Sequence, residues 1–293
     1  MTRLSRLADA VPAPGVYVAS GISQYTGSAI GVAVLLAAMP GYAAAWWRVA
    51  IGAAVICAWR RPWRRGFTRS QVVTSALFGL SITLMNMTFY EAIARIPMGT
   101  AVSIEFVGPV ATALIFGGGW RARAGVVAVA AGVVSIGGFG LDLGDPTQAA
   151  GMAWAVAAGI AWGAYIVGGT AIAHRRSGVD ALAVGLAAGA LVTAPFVGRH
   201  IGDVNTPELA VAALAVGVLA SALPFPLEQL AMRRLGAETI SLMSAVLPAT
   251  SVIVGALTLR QVPSLGEACG IVLISCGIAL AQWRSGLARG RGR

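Results

Sequence analysis

The sequence predicts an all-α membrane protein, with ten transmembrane helices arranged as two inverted five-helix repeats. Three observations carry that prediction. Of the 293 residues, 57% are hydrophobic and only 11% are charged, with a mean hydropathy of +0.79; a soluble globular chain carries about 25% charged residues. Apolar runs of about 20 residues, the length that crosses ~30 Å of hydrocarbon, recur along the whole chain. The 21 basic residues, all Arg, gather in alternate gaps between those runs. The 38 glycines suit helices that pack closely in lipid.

With charges, Pro and Gly as punctuation, the runs are 14–38, 41–59, 71–94, 98–116, 124–141, 149–173, 181–198, 208–232, 236–258 and 264–283. Arg3 and Arg6 precede the first run in the manner of a signal peptide. The run is longer than an ordinary signal core, and the next begins directly after Pro40, so 14–38 reads as a span. If the N-terminus is cytoplasmic, seventeen Arg fall in inside segments, Arg95, Arg199 and Arg260 fall outside, and Arg48 lies within a span. That asymmetry predicts a multi-pass membrane protein with both termini cytoplasmic. It also accounts for the net charge of +10 without nucleic acid as a partner; membrane lipid is the partner expected. Trp46, Trp59, Trp63, Trp120 and Trp283 sit near span ends, as an aromatic belt requires.

The halves relate to each other. A shift of 139 residues lays Pro109 on Pro248, inside GPVATALI (108–115) and LPATSVIV (247–254). The same shift matches the tight turns 89–99 and 228–237, and five spans fall in each half. An odd number per half inverts the second copy, which is a transporter signature with the substrate site near the midplane. The repeats are 14–141 and 149–283, joined by DLGDPTQ (142–148).

Ionisable groups within spans are costly and therefore candidate functional groups. Four are present: Arg48, Glu91, Glu105 and Glu228. Glu91 and Glu228 lie near span ends, where they can snorkel or pair with Arg, Glu228 with Arg233 or Arg234. Arg48 and Glu105 each sit seven residues past the outer end of their spans, ~10 Å deep at ~1.5 Å per residue. Two readings stay open for Glu105. Either it forms a structural ion pair with Arg48, or it faces a cavity and binds a substrate ammonium or a coupling proton. Gly108 and Pro109 follow it closely and loosen the backbone, as where transporters open helices to line a cavity. Pro109, Pro248, Pro224 and Pro226 can equally be static kinks. Gln24, Tyr25, Asn86, Tyr90, Trp162, Tyr165 and Gln229 are mid-span polar or aromatic residues that can line the same cavity or bond between helices. Asn86 and Tyr90, four apart, are expected on one helix face, as are Trp162 and Tyr165.

The stretch MTFYEAIARIPMGTAVSIEFVGPVATAL (87–114) resembles the EamA-type branch of the drug/metabolite transporter superfamily. It is most similar there to the bacterial threonine/homoserine exporters, which carry a like PxGxAxxxEFxGP segment. SALPFPLEQLAMRRL (221–235) and SLMSAVLPA (241–249) agree, and the resemblance spans about 14–283. It implies alternating-access export of small metabolites, with amino acids of the threonine/homoserine type foremost. Other metabolites or toxic compounds, or an uncoupled facilitative channel, are the alternatives. Leu247 stands where family members commonly have Glu, so the resemblance does not imply two symmetry-related carboxylates. Cys57, Cys269 and Cys276 lie in apolar runs without metal-ligand spacing and read as buried small hydrophobes. No metal, cofactor or enzyme signature is expected. A Walker motif is excluded because the chain has no Lys.

Overall fold

The computed structural model of the chain describes residues 12–117, 120–136, 141–173, 178–228, 230, 231 and 246–282. Among the described residues every regular element is helical. The α-helices are α1 (Ala13–Ala33), α2 (Gly41–Arg60), α3 (Arg69–Ile93), α4 (Met98–Glu105), α5 (Val107–Gly117), α6 (Trp120–Ser135), α7 (Pro146–Ala173), α8 (Gly178–Val197), α9 (Pro207–Gly217), α10 (Leu247–Leu259) and α11 (Leu265–Gln282). A π-turn, Val218–Ala222, extends α9. Among the described residues five segments are each long and apolar enough to cross a membrane: Pro14–Ala37, Gly41–Arg64, Arg69–Ile93, Gly178–Asp203 and Pro207–Glu228.

Local signals set the helix ends. Thr68 and Gln71 close a capping box at the start of α3, and Thr206 accepts from the Leu209 N–H to start α9. Asp145 does the same for α7 through the Thr147 N–H, at 2.9 Å. Arg61 and Arg260 end α2 and α10 in the left-handed conformation. Two expected spans are interrupted. The span expected at 98–116 breaks at Phe106 into α4 and α5, and the one at 208–232 contains the π-turn.

The bundle is apolar on its outer faces, and its largely apolar core also encloses polar and charged groups. Leu77, Val127, Ile160, Leu191, Phe196 and Leu257 are exposed on outward faces, whereas Arg48, Asn86, Glu105, Ser221 and Glu267 are buried. Large apolar side chains on the outside fit a lipid solvent. Most buried hydroxyls bond back to their own helix, as Thr83 to Gly79 and Thr193 to Gly189, both at 2.8 Å. Glycines bring helix backbones together: a Cβ on Gly79 of α3 would land on the backbone of Gly185 in α8, and one on Gly108 of α5 on Gly159 in α7.

α1 packs against α9, its π-turn and α10, while α7 packs against α3, α4 and α5; α6 pairs with α11. At one end of the bundle Arg60 bonds Asp180 at 2.8 Å. Residues near the opposite helix ends also meet: His200 lies edge-on to Tyr42 with ring centroids 5.7 Å apart, and the Met98 N–H donates to Gln261 at 3.1 Å.

Two expectations need correction. Cys269 and Cys276 are exposed rather than buried, because they occupy the outward face of α11; Cys57 is half-buried and all three are free. Trp59, Trp63 and Trp120 are exposed as a belt requires, but Trp46 turns inward and donates from Nε1 to the Ala190 carbonyl at 2.8 Å. Trp283 lies outside the described residues.

Candidate functional site

The two interrupted helices build the site. In the α9 extension, the Leu223 N–H steps back to the Val218 carbonyl at 2.9 Å, five residues away. That leaves the Leu219 carbonyl without its α-helical donor. The Ala220 carbonyl loses its own because Pro224 has no N–H. Both vacancies are filled from the first part of the chain. Ser23 Oγ donates to Leu219 at 2.7 Å, and the Arg48 guanidinium donates to Ala220 at 2.8 Å. Arg48 also bonds Ser221 Oγ at 3.2 Å and Ser28 Oγ at 3.4 Å, and lies 5.6 Å from the centre of the Tyr90 ring. Gly27 and Gly52 admit α1 and α2 to this turn, since a Cβ on Gly27 would come within 2.8 Å of the Ala220 nitrogen and one on Gly52 within 2.6 Å of the Ser221 Cβ.

The second break sets Glu105. It is the last residue of α4, and its carbonyl lacks an i+4 donor because that position is Pro109. Gly159 of α7 packs directly beneath, so that a Cβ there would come within 2.6 Å of the Glu105 carbonyl oxygen. Phe106, at the break, lies edge-on to Trp162 with ring centroids 4.7 Å apart, while Tyr165 rests on Phe78 at 4.9 Å.

Between these elements is a cavity of about 100 Å³. Glu105, Arg48 and Glu228 supply its charged wall, and Gln24 and Asn86 its amides. Tyr17, Tyr25, Phe89, Trp162, Tyr165 and Phe225 supply aromatic surface, with Ile82, Met85, Leu182 and Leu247 completing the lining. Leu247 thus leaves the wall apolar where the family commonly has a carboxylate. Glu105 is 7% exposed and Arg48 1%. Among the described residues neither Glu105 nor Glu228 has a hydrogen-bond or ion-pair partner.

Most residues singled out from the sequence therefore meet: Gln24, Tyr25, Arg48, Asn86, Glu105, Trp162, Tyr165 and Glu228 share this cavity. Tyr90 is not on its wall. Its ring is fully buried behind Arg48 and against Gly31 of α1, and its hydroxyl has no partner among the described residues. Four residues advance a helix by about 400°, and the residual ~40° separates Tyr90 from Asn86. Asn86 Nδ2 bonds the Ile82 carbonyl at 2.7 Å, within its own helix. The ion pair of Arg48 with Glu105, one of the two readings left open for Glu105, is not made; Arg48 bonds neutral oxygens instead. Glu91 does pair as expected, with Arg95, and accepts from the Tyr42 N–H at 2.8 Å. Gln229, Arg233 and Arg234 lie outside the described residues. Pro109 is buried in the first turn of α5, and Pro248 is buried at the start of α10. Tyr17, Leu182 and Phe225 carried no signal in the sequence, being ordinary apolar or aromatic residues in apolar runs.

Apolar outer faces, interrupted helices and a small charged cavity shared by both ends of the chain define a transporter embedded in a membrane. Residues 149–283 match the EamA-like transporter family. The threonine/homoserine exporter RhtA of Salmonella typhimurium (strain LT2) is 32% identical over 240 residues, 80% of this chain and 80% of that protein. That of Escherichia coli (strain K12) is 32% identical over 218 residues, 73% and 72% respectively. The chain belongs to the EamA-like transporter family. A crystal structure at 21% identity covers 94% of this chain and 99% of its own with a TM-score of 0.54, which is a likeness of fold.

Proposed function

We propose that the protein is a secondary transporter of the bacterial inner membrane that exports small amino acids of the threonine/homoserine type by alternating access. The observation that carries this reading is the cavity, in which Glu105, without a partner among the described residues, stands at a helix break among aromatic side chains. Its ~100 Å³ volume is well below the ~300–1,000 Å³ of pockets for drug-sized ligands, which favours a solute of a few heavy atoms over bulky toxic compounds. The exporters named above supply the substrate class. Glu105 binds the substrate ammonium and, when empty, a coupling proton.

Ten spans in two inverted repeats, 14–141 and 149–283, form the framework of this reading. Its support is reciprocal packing: the first helix of each half, α1 and α7, inserts among helices of the other half. Groups assigned to the cytoplasmic side also meet each other, as Arg60 meets Asp180, and groups assigned outside do likewise, as Tyr42 meets His200. An impermeant thiol reagent should then label a single Cys at position 145 in intact cells; labelling only after the cells are opened would overturn the span count.

The test of function is counterflow in proteoliposomes. Preloading with unlabelled threonine should accelerate uptake of labelled threonine, and competition by the twenty amino acids should rank small hydroxylated ones first. Uptake that preloading leaves unchanged would point to a channel.

A further inference from the structure

The cavity contains one positive and two negative side chains, but they are not equally available. Each of the three guanidinium nitrogens of Arg48 already donates to a protein oxygen: Nε to Ser221, one terminal nitrogen to Ser28 and the other to the Ala220 carbonyl. The Tyr90 ring lies against the same group, and Arg48 is 1% exposed. Three of its five N–H donors are thus in use, and moving the guanidinium toward a ligand would strand a carbonyl that Pro224 has deprived of its helical donor. Glu105 and Glu228 have no such commitments among the described residues, and both line the cavity. A carboxylate that faces a cavity without a protein donor can take water, a proton or a cation, and of these only a cation or a proton also offsets its charge. Among the described residues the lining therefore holds two carboxylates and one guanidinium. Tyr25, Trp162 and Phe225 add π-faces that suit an ammonium and its apolar stem.

We infer that the cavity reads the ammonium group of its substrate and not the α-carboxylate, so that small primary amines and amino alcohols are ligands alongside amino acids. This rests on the cavity being the transport site proposed above. Arg48 is then a structural clamp on the π-turn rather than a carboxylate receptor. Glu105 supplies the contact that every ligand shares.

Three probes separate the groups: threonine, 2-amino-1,3-butanediol, which keeps the amine and lacks the carboxylate, and 3-hydroxybutyrate, which does the reverse. Binding to purified protein is read from tryptophan fluorescence, for which Trp162 on the cavity wall is a reporter, and transport from counterflow of labelled threonine. The amino alcohol should bind and compete within about threefold of threonine, and the hydroxy acid at least about tenfold more weakly. Glu105→Gln should remove the amine response, and Glu105→Asp, which keeps the charge on a shorter stem, should weaken it. Equal binding of the hydroxy acid, or failure of the amino alcohol where threonine binds, overturns the inference. If labelled threonine shows no counterflow but the amino alcohol still binds in a Glu105-dependent way, the amine site stands and the amino-acid reading falls. Absence of binding by all three probes overturns the site itself.

Discussion

Arg48 and Glu105 stand at the same expected depth in the membrane, as lone charges in apolar helices, yet the structure gives them opposite surroundings. Arg48 is anchored at three nitrogens by oxygens of α1 and the π-turn. Glu105 sits at the end of α4 with its carboxylate turned to a cavity and with no donor among the described residues. Both sites originate in a proline that cancels a helical hydrogen bond. At Pro224 the freed carbonyl is taken by the guanidinium, and the charge becomes part of the scaffold. At Pro109 the freed carbonyl packs on Gly159, and the charge beside it stays available. The two buried charges thus differ in how far they are committed to the protein: Arg48 uses three of its five N–H donors on protein oxygens, and Glu105 accepts from no described donor.

The comparison is broken most directly by removing the anchor. Arg48→Leu should cost about 2–4 kcal/mol in unfolding measured in detergent, because it deletes three bonds and leaves the Ala220 carbonyl without a donor. Adding Glu105→Gln should not restore that loss, with a coupling energy below about 1 kcal/mol. A large rescue would mean that the two charges act as a pair. Next in size, Gly159→Leu should cost about 1–3 kcal/mol and slow counterflow, since its side chain would collide with the Glu105 carbonyl; unchanged transport would separate this packing from the cycle. Glu105→Gln alone should abolish transport while changing stability by less than about 1 kcal/mol, because no described partner is stranded. A loss of stability as large as that of Arg48→Leu would erase the distinction between the two sites.

The smallest effect is expected far from both. Backbone donation from Thr147 holds the carboxyl of Asp145, exposed ahead of α7, below its ordinary value. Its support for the first turn of α7 is thus complete above the usual carboxylate range and fades as pH falls through the lowered value. Asp145→Ala should leave transport within about twofold and speed amide exchange in that turn at neutral pH, with the difference from wild type vanishing in acid. A pH-independent difference would assign the effect to helix propensity.

Several parts of this arrangement are legible in the sequence. Glu105 announces itself by its charge in an apolar run and by Gly108 and Pro109 just after it. The interrupted helices follow from prolines, and the apolar spans from hydropathy. Tyr90 shows the limit of helix-face reasoning, because the residual rotation over one turn is enough to move a ring from a cavity wall to the back of Arg48. Leu182 and Phe225 show another limit: an apolar residue in an apolar segment looks the same whether it meets lipid, a neighbouring helix or a cavity.

Composition and local pattern by themselves determined that this chain is helical and lives in a membrane, since both properties depend on short-range quantities: hydropathy over ~20 residues, and the backbone preferences of Pro, Gly and capping residues. They also marked the few charges that had to be accounted for. Which of those charges is held and which is free was decided only in the tertiary structure. The partners of Arg48 lie up to 173 residues away, on a turn that α1 and α2 reach only because Gly27 and Gly52 let them close. A hydrogen bond joins atoms within ~3 Å, and only the packed bundle brings those atoms together.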